Sequence, residues 1–187
     1  TVVHGDVGQC YGYGAKGGRL FIQGNAAGRP MINSVGNPKL VVNGTALDYL
    51  AESFMAGDPL DKENPGGFVI INGIEFSQDG DLIELETPYP GGNLFSLSSG
   101  GAIYVRDPHQ RLSPSQLNGG DFVDLGEDDW VLIEDMLIEN EAHFDIPLAR
   151  LLTVDGEVRA PSEVYRKIIP LKNRALSVED SWAAKHD

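Results

Sequence analysis

Cysteine is nearly absent: Cys10 is the single thiol in 187 residues. An internal disulfide, a multi-cysteine zinc site and a cysteine-held iron–sulfur cluster are therefore excluded within this chain, and a reducing cytoplasm is the expected compartment. No apolar run approaches the roughly 20 residues that a bilayer crossing needs. Basic residues are scarce, 14 against 28 acidic ones, which leaves a formal charge of −14. Such a field repels polyphosphate and anionic lipid, so neither nucleic acid nor a membrane surface is an expected partner. Aromatic residues make up only 8% of the chain, while 41% are hydrophobic, the composition of a folded protein with one core. The chain begins at Thr1 with neither an initiator methionine nor a charged-then-apolar leader, which suggests a fragment, a processed product or an excised domain.

Glycine is plentiful instead, at 23 positions, and it punctuates the chain. Gly17-Gly18 precedes Arg19-Leu20-Phe21-Ile22, Asn37-Pro38 precedes Lys39-Leu40-Val41-Val42, and Gly66-Gly67 precedes Phe68-Val69-Ile70-Ile71. Gly100-Gly101 precedes Ala102-Ile103-Tyr104-Val105, and Gly119-Gly120 precedes Asp121-Phe122-Val123. These runs are too short for helices and lack a 3.6-residue period, so they read as strands bounded by turns. Their recurrence, about every 20 residues apart from two insertions at Asp58–Pro65 and Glu75–Tyr89, predicts strands that stack in parallel on their own equivalents. Leu47–Phe54 reads as a short helical excursion. The corner glycines of such a stack would be Gly12, Gly14, Gly17, Gly18, Gly66, Gly67, Gly100, Gly101, Gly119 and Gly120.

The last third differs. No Lys or Arg occurs between Arg111 and Arg150, where Asp121, Asp124, Glu127, Asp128, Asp129, Glu134, Asp135, Glu139, Glu141 and Asp145 crowd together. Trp130, Ile133, Leu137 and Phe144 recur at helical spacing, with Asp128 or Asp129 placed to cap the helix. A second short helix is predicted over Ser162–Ile168, after Pro161. Ser177–Asp187 reads as a polar tail. The expected organisation is a strand-rich unit over 1–125 and an acidic helical extension with its tail over 126–187, folded back onto the first.

Gly5-Asp6-Val7-Gly8, Gly12-Tyr13-Gly14-Ala15-Lys16-Gly17-Gly18, Gly24-Asn25-Ala26-Ala27-Gly28 and Ser99-Gly100-Gly101-Ala102 together carry a family likeness. Over roughly residues 5–107 the chain resembles the GXGXG domain of the glutamate synthase large (alpha) subunit. The segment from Ile138 to Pro170 is similar to the helical extension of that subunit. The resemblance implies an all-β fold, a right-handed parallel β-helix (a single-stranded solenoid) with a C-terminal helical extension. It further implies a non-catalytic structural role beside an amidotransferase and a flavin-barrel synthase, with FMN and the iron–sulfur cluster carried only by those partner modules. A related β-helix occurs in formylmethanofuran dehydrogenase and in formyltransferase/hydrolase complexes, which gives the alternative host.

Other motifs are weaker. Gly12-x-Gly14-x-x-Gly17 satisfies a dinucleotide-binding pattern, but a strand-like run follows where that pattern requires a helix. His4, His109, His143 and His186 lack metal-ligand spacing. Asp48, Glu52 and Asp58 are the carboxylates that a carbohydrate-active enzyme would need, the most distant reading, and they read better as a solvated face. Asn43-Gly44-Thr45 matches a glycosylation acceptor that a cytoplasmic chain never uses. No residue is expected to be catalytic, cofactor-binding or metal-binding, and the isolated chain is expected to be inactive. The open ends of the stack predict self-association into a homo-oligomer.

Overall fold

The computed structural model describes residues 1–77, 79 and 81–171; the tail expected over 177–187 lies outside the described residues, as does His186. The strands are β1 (Val2–Val3), β2 (Arg19–Ile22), β3 (Lys39–Val42), β4 (Phe68–Ile71), β5 (Ile74–Phe76), β6 (Leu82–Glu84), β7 (Ala102–Arg106) and β8 (Gly120–Val123). Helix α1 (Glu127–Phe144) follows, then α2 (Leu148–Leu151), β9 (Thr153–Val154), β10 (Glu157–Val158), α3 (Pro161–Val164) and β11 (Tyr165–Pro170).

The main sheet has seven strands in the order β1-β2-β3-β4-β7-β11-β8. The first five pair in parallel, with Leu20 beside Leu40, Leu40 beside Val69 and Val69 beside Ile103. Outside the sheet the same stacking continues through single bridges, Val7 on Ala26 on Ala46, and Leu94 on Leu117. β3, β4 and β7 are almost wholly apolar because both of their faces are buried. One face, with Ile22, Leu40, Val42, Val69, Ile71, Ile103 and Val105, closes over Met31, Leu50, Phe54 and Phe95 from the returning segments. The other face, with Phe21, Val41, Phe68, Ile70 and Tyr104, needs a cover. α1 supplies it through Ile133, Met136, Leu137 and Phe144.

The expected all-β, right-handed parallel β-helix is therefore corrected: the fold is mixed α/β, with a mixed sheet, two small antiparallel sheets and three α-helices among the described residues. The reason lies in β11. It enters between β7 and β8 and runs antiparallel to both, pairing Ile168 with Ile103 on one side and with Phe122 on the other. The run after Gly119-Gly120 thus never sits directly on β7.

Two local expectations change with it. The helix predicted over Ser162–Ile168 stops at Val164, because Tyr165, Ile168 and Ile169 are β-formers that complete the ladders of two waiting strands. Leu47–Phe54 is not helical: Tyr49, Ala51 and Ser53 all take positive φ. The Glu75–Tyr89 insertion begins as the β5–β6 hairpin.

Candidate functional site

The turns between the parallel strands build an unusual corner. Alternate residues take a left-handed backbone in four successive passes of the chain: Cys10, Gly12, Gly14; Arg29, Met31, Asn33; Tyr49, Ala51, Ser53; and Asn93, Phe95, Leu97, with φ between 52° and 72°. Only two of these twelve positions are glycine. Each non-glycine residue there costs about 1 kcal/mol, and hydrogen bonds between passes offset it. Arg29 N donates to Asp48 O at 2.8 Å and Tyr49 N to Gly92 O at 3.0 Å, while Met31 N donates back to Tyr11 O at 2.8 Å and Ala51 N to Pro30 O at 2.9 Å. The middle residue of each trio points inward, so Met31, Ala51 and Phe95 are core side chains.

Beside the sheet lies a buried amide network. Asn43 Nδ2 donates to Ile22 O and to Asn140 Oδ1, both at 2.9 Å. Its Oδ1 accepts from Asn140 Nδ2 at 2.9 Å and from Asn72 Nδ2 at 2.8 Å. Tyr165 Oη then donates to Asn72 Oδ1 at 2.9 Å. Asn43 and Asn72 follow β3 and β4 directly, and Asn140 projects from α1, so this network joins helix, sheet and β11. The Asn43-Gly44-Thr45 motif is thereby accounted for, since the Asn43 amide is fully enclosed.

A second cluster sits where α1 begins. Asp129 Oδ1 accepts from Tyr104 Oη at 2.7 Å and lies 2.6 Å from Lys167 Nζ, while Asp129 Oδ2 accepts from the Gly126 amide at 3.0 Å. One carboxylate thus caps its own helix and ties it to β7 and β11. Lys167 also borders a cleft of about 370 Å³ whose other walls include Pro59, Leu60, Ser99, Gly100 and Ile169. The insertion at 58–65 forms one lip of it, shaped by Asp58 and Asp61 accepting backbone N–H groups within their own turn. Those bonds hold the Asp61 carboxyl below its ordinary range. The cleft can receive an apolar group, but its one ammonium is already matched by Asp129.

The sequence-singled residues are scattered. Gly17 and Gly18 lead into β2, Gly66 and Gly67 into β4, Gly100 and Gly101 into β7, and Gly119 precedes Gly120, the first residue of β8. Because β2 and no helix follows Gly17, the dinucleotide pattern lacks its anion-binding amides. Asp48 accepts from Gly92 N at 2.6 Å, Glu52 pairs with Arg29, and Asp58 accepts from Leu60 N at 3.0 Å, so the three carboxylates have three separate structural jobs. His4 packs edge-on against Phe144, His143 against Phe21, and His109 lies 3.3 Å from Glu84. Among the described residues no group of three or more His, Cys, Asp or Glu side chains could hold a metal. Likewise, no helix among them is long and apolar enough to cross a membrane.

No protein-family model, no curated protein and no solved structure matches this chain.

The buried phenols give the network a pH signature. Burial pushes Tyr104 strongly upward, and its bond to the Asp129 carboxylate adds to that. Burial also raises Tyr165 and Tyr89. In the unfolded chain these phenols ionise near pH 10, so the folded state holds their protons more tightly. Their contribution to stability is complete below about pH 10 and drains away as the pH climbs further. The tyrosinate absorbance of these three phenols and the loss of helical dichroism are expected to rise together in one alkaline transition. Ionisation of these three phenols in a chain that stays folded would contradict the enclosure described.

Proposed function

We propose that this chain is a non-catalytic positioning domain or subunit of a glutamate-synthase-like amidotransferase/oxidoreductase assembly. In it, the glutaminase and flavin-barrel modules carry the chemistry, and FMN and the iron–sulfur cluster reside on those modules. One observation carries the reading: among the described residues every buried polar side-chain atom but the Tyr11 hydroxyl, which is enclosed without a partner, serves the architecture. Ser34, Asn43, Asn72, Ser98, Arg106, Asp107, Asp129, Asn140 and Lys167 all bond to one another or to backbone within this chain. A catalytic group would instead be held partly unsatisfied, facing a cleft. The succession of glycine-bounded runs supports the choice of host, and the lone Cys10 fits the cytoplasm where such an assembly works.

The test has two arms. Purified chain should show no glutaminase, flavin-linked or lyase turnover. Mixed with amidotransferase and flavin-barrel proteins encoded beside it, it should co-elute in a defined complex by size exclusion with light scattering. Turnover by the chain alone, or association with neither protein, would defeat the proposal. Association with an amidohydrolase-like subunit would move the chain to a formyl-transfer complex.

A further inference from the structure

α1 has two distinct faces. Inward lie Asp129, Ile133, Met136, Leu137, Asn140 and Phe144, all buried. Diametrically opposite runs a stripe of Asp128, Val131, Asp135, Ile138 and Ala142, spaced alternately three and four residues apart and exposed throughout. Val131 is 66% and Ile138 55% exposed. A solvated helix face has no need of two β-branched residues, which lower helix propensity and gain nothing in water. Three-four alternation is the period by which one helix seats against another.

The flank of the stripe adds a second row, Glu127, Glu134 and Glu141, each seven residues from the next. α1 contains no Lys or Arg. On the opposite flank Arg19 neutralises Asp135 and Glu139. Among the described residues no cation pairs with Glu127, Asp128 or Glu134. Where the stripe begins, Val131 and Trp130 join Leu125 and Pro161 around a shallow, mainly apolar hollow of about 240 Å³. A hollow at one end of the stripe gives an incoming side chain a fixed seat and so sets a register.

The geometry points to the outer face of α1 as the docking surface for a basic amphipathic helix of a partner protein. Its apolar residues would pack on Val131, Ile138 and Ala142, one of them filling the hollow beside Trp130, while its Lys or Arg side chains face the Glu127–Glu134–Glu141 row. Charge decides the occupant. A second copy of α1 would set carboxylate rows against each other, and an anionic lipid surface would be repelled in the same way. A basic helix satisfies both the apolar spacing and the acids that no cation meets among the described residues. The inference goes beyond the positioning role and holds whichever assembly hosts the chain.

The probe is a synthetic three-heptad peptide with Ile and Leu at its core positions and Lys at the flanking ones, titrated into the full chain by calorimetry. Val131→Glu with Ile138→Glu discriminates between mechanisms, because it removes the apolar contact while adding negative charge. Docking at this face predicts binding about tenfold weaker for that variant, weaker binding for Glu127→Lys with Glu134→Lys, and loss of affinity with added salt. Helical dichroism should be unchanged in both variants, since all four positions face away from the core. Binding that is unchanged or tighter in the doubly acidic variant would reduce the interaction to charge attraction alone and overturn the inference. So would failure of the peptide to bind the native chain, or dimers of the chain that the same variant dissociates.

Discussion

Alanine at Asn43 is expected to lower the unfolding free energy by about 3–5 kcal/mol. Asn43 is completely buried and sits at the centre of the amide network. Removing its side chain strands the Nδ2 and Oδ1 of Asn140 and the Nδ2 of Asn72, and takes one bond from Ile22 O. Each stranded buried group costs about 1–3 kcal/mol, and no water is expected to replace the amide without shifting α1. Asn140→Ala should cost less, because Asn43 would retain its bonds to Ile22 O and Asn72. In urea denaturation the first variant should therefore show much the lower midpoint, with a melting temperature reduced by about 10–15 °C. The double variant should be less destabilised than the two single losses combined, since both act through one pair. A loss below about 1 kcal/mol at Asn43 would mean that α1 is held by its apolar contacts and the Asp129 cluster with little help from the amide network.

That network also marks the limit of what could be read from the sequence. The runs Arg19–Ile22, Lys39–Val42, Phe68–Ile71 and Ala102–Arg106 were legible because each combines β-branched or aromatic residues with a turn signal at both ends. α1 was legible from the spacing of Ile133, Leu137 and Phe144. Asn43-Gly44 and Asn72-Gly73, by contrast, read as turns, since Asn before Gly is a turn signal when local sequence is all there is. Their burial depends on Asn140 for Asn43 and on Tyr165 for Asn72, 97 and 93 positions away, and no local pattern reveals such partners. β11 was missed for a related reason. Val164 and Ile168, four apart, suit one helical face, but the unpaired edges of β7 and β8 had already reserved that segment as a strand. Asp129 was legible only as one of two candidate helix caps, with Asp128, and not as the counter-ion of Lys167, because the pairing exists only once β11 has entered the sheet.

Among the glycines, Gly66→Ala is expected to cost about 3–4 kcal/mol and most of the soluble yield, although Gly66 lies outside the Gly12–Gly18 run and has no positive φ. An added methyl there would collide with Ala56 O and stand 2.6 Å from the Gly57 carbonyl carbon and 2.8 Å from that of Asp58. These are backbone atoms, pinned by Gly66 N donating to Asp58 O at 2.7 Å and Gly67 N donating to Ala56 O at 2.8 Å. They cannot retreat without opening the insertion loop that forms one lip of the cleft. Gly12 and Gly14 present the opposite case. Both take left-handed φ, yet Met31, Ala51 and Phe95 occupy the position of Gly12 in later passes, and Asn33, Ser53 and Leu97 that of Gly14. The corner therefore tolerates side chains. A methyl at Gly12 would overlap the Sδ of Met31, 2.5 Å away, so that this core side chain must repack, whereas one at Gly14 has nothing within 4 Å. Gly14→Ala should cost about 1 kcal/mol, the left-handed penalty alone, and Gly12→Ala about 1 kcal/mol more for the repacking of Met31. Thermal melts of the three alanine variants decide the matter, since equal losses at all three positions would return the burden to backbone conformation. A loss concentrated at Gly66 would show that close backbone packing at the 58–65 insertion demands glycine more strictly than the motif does.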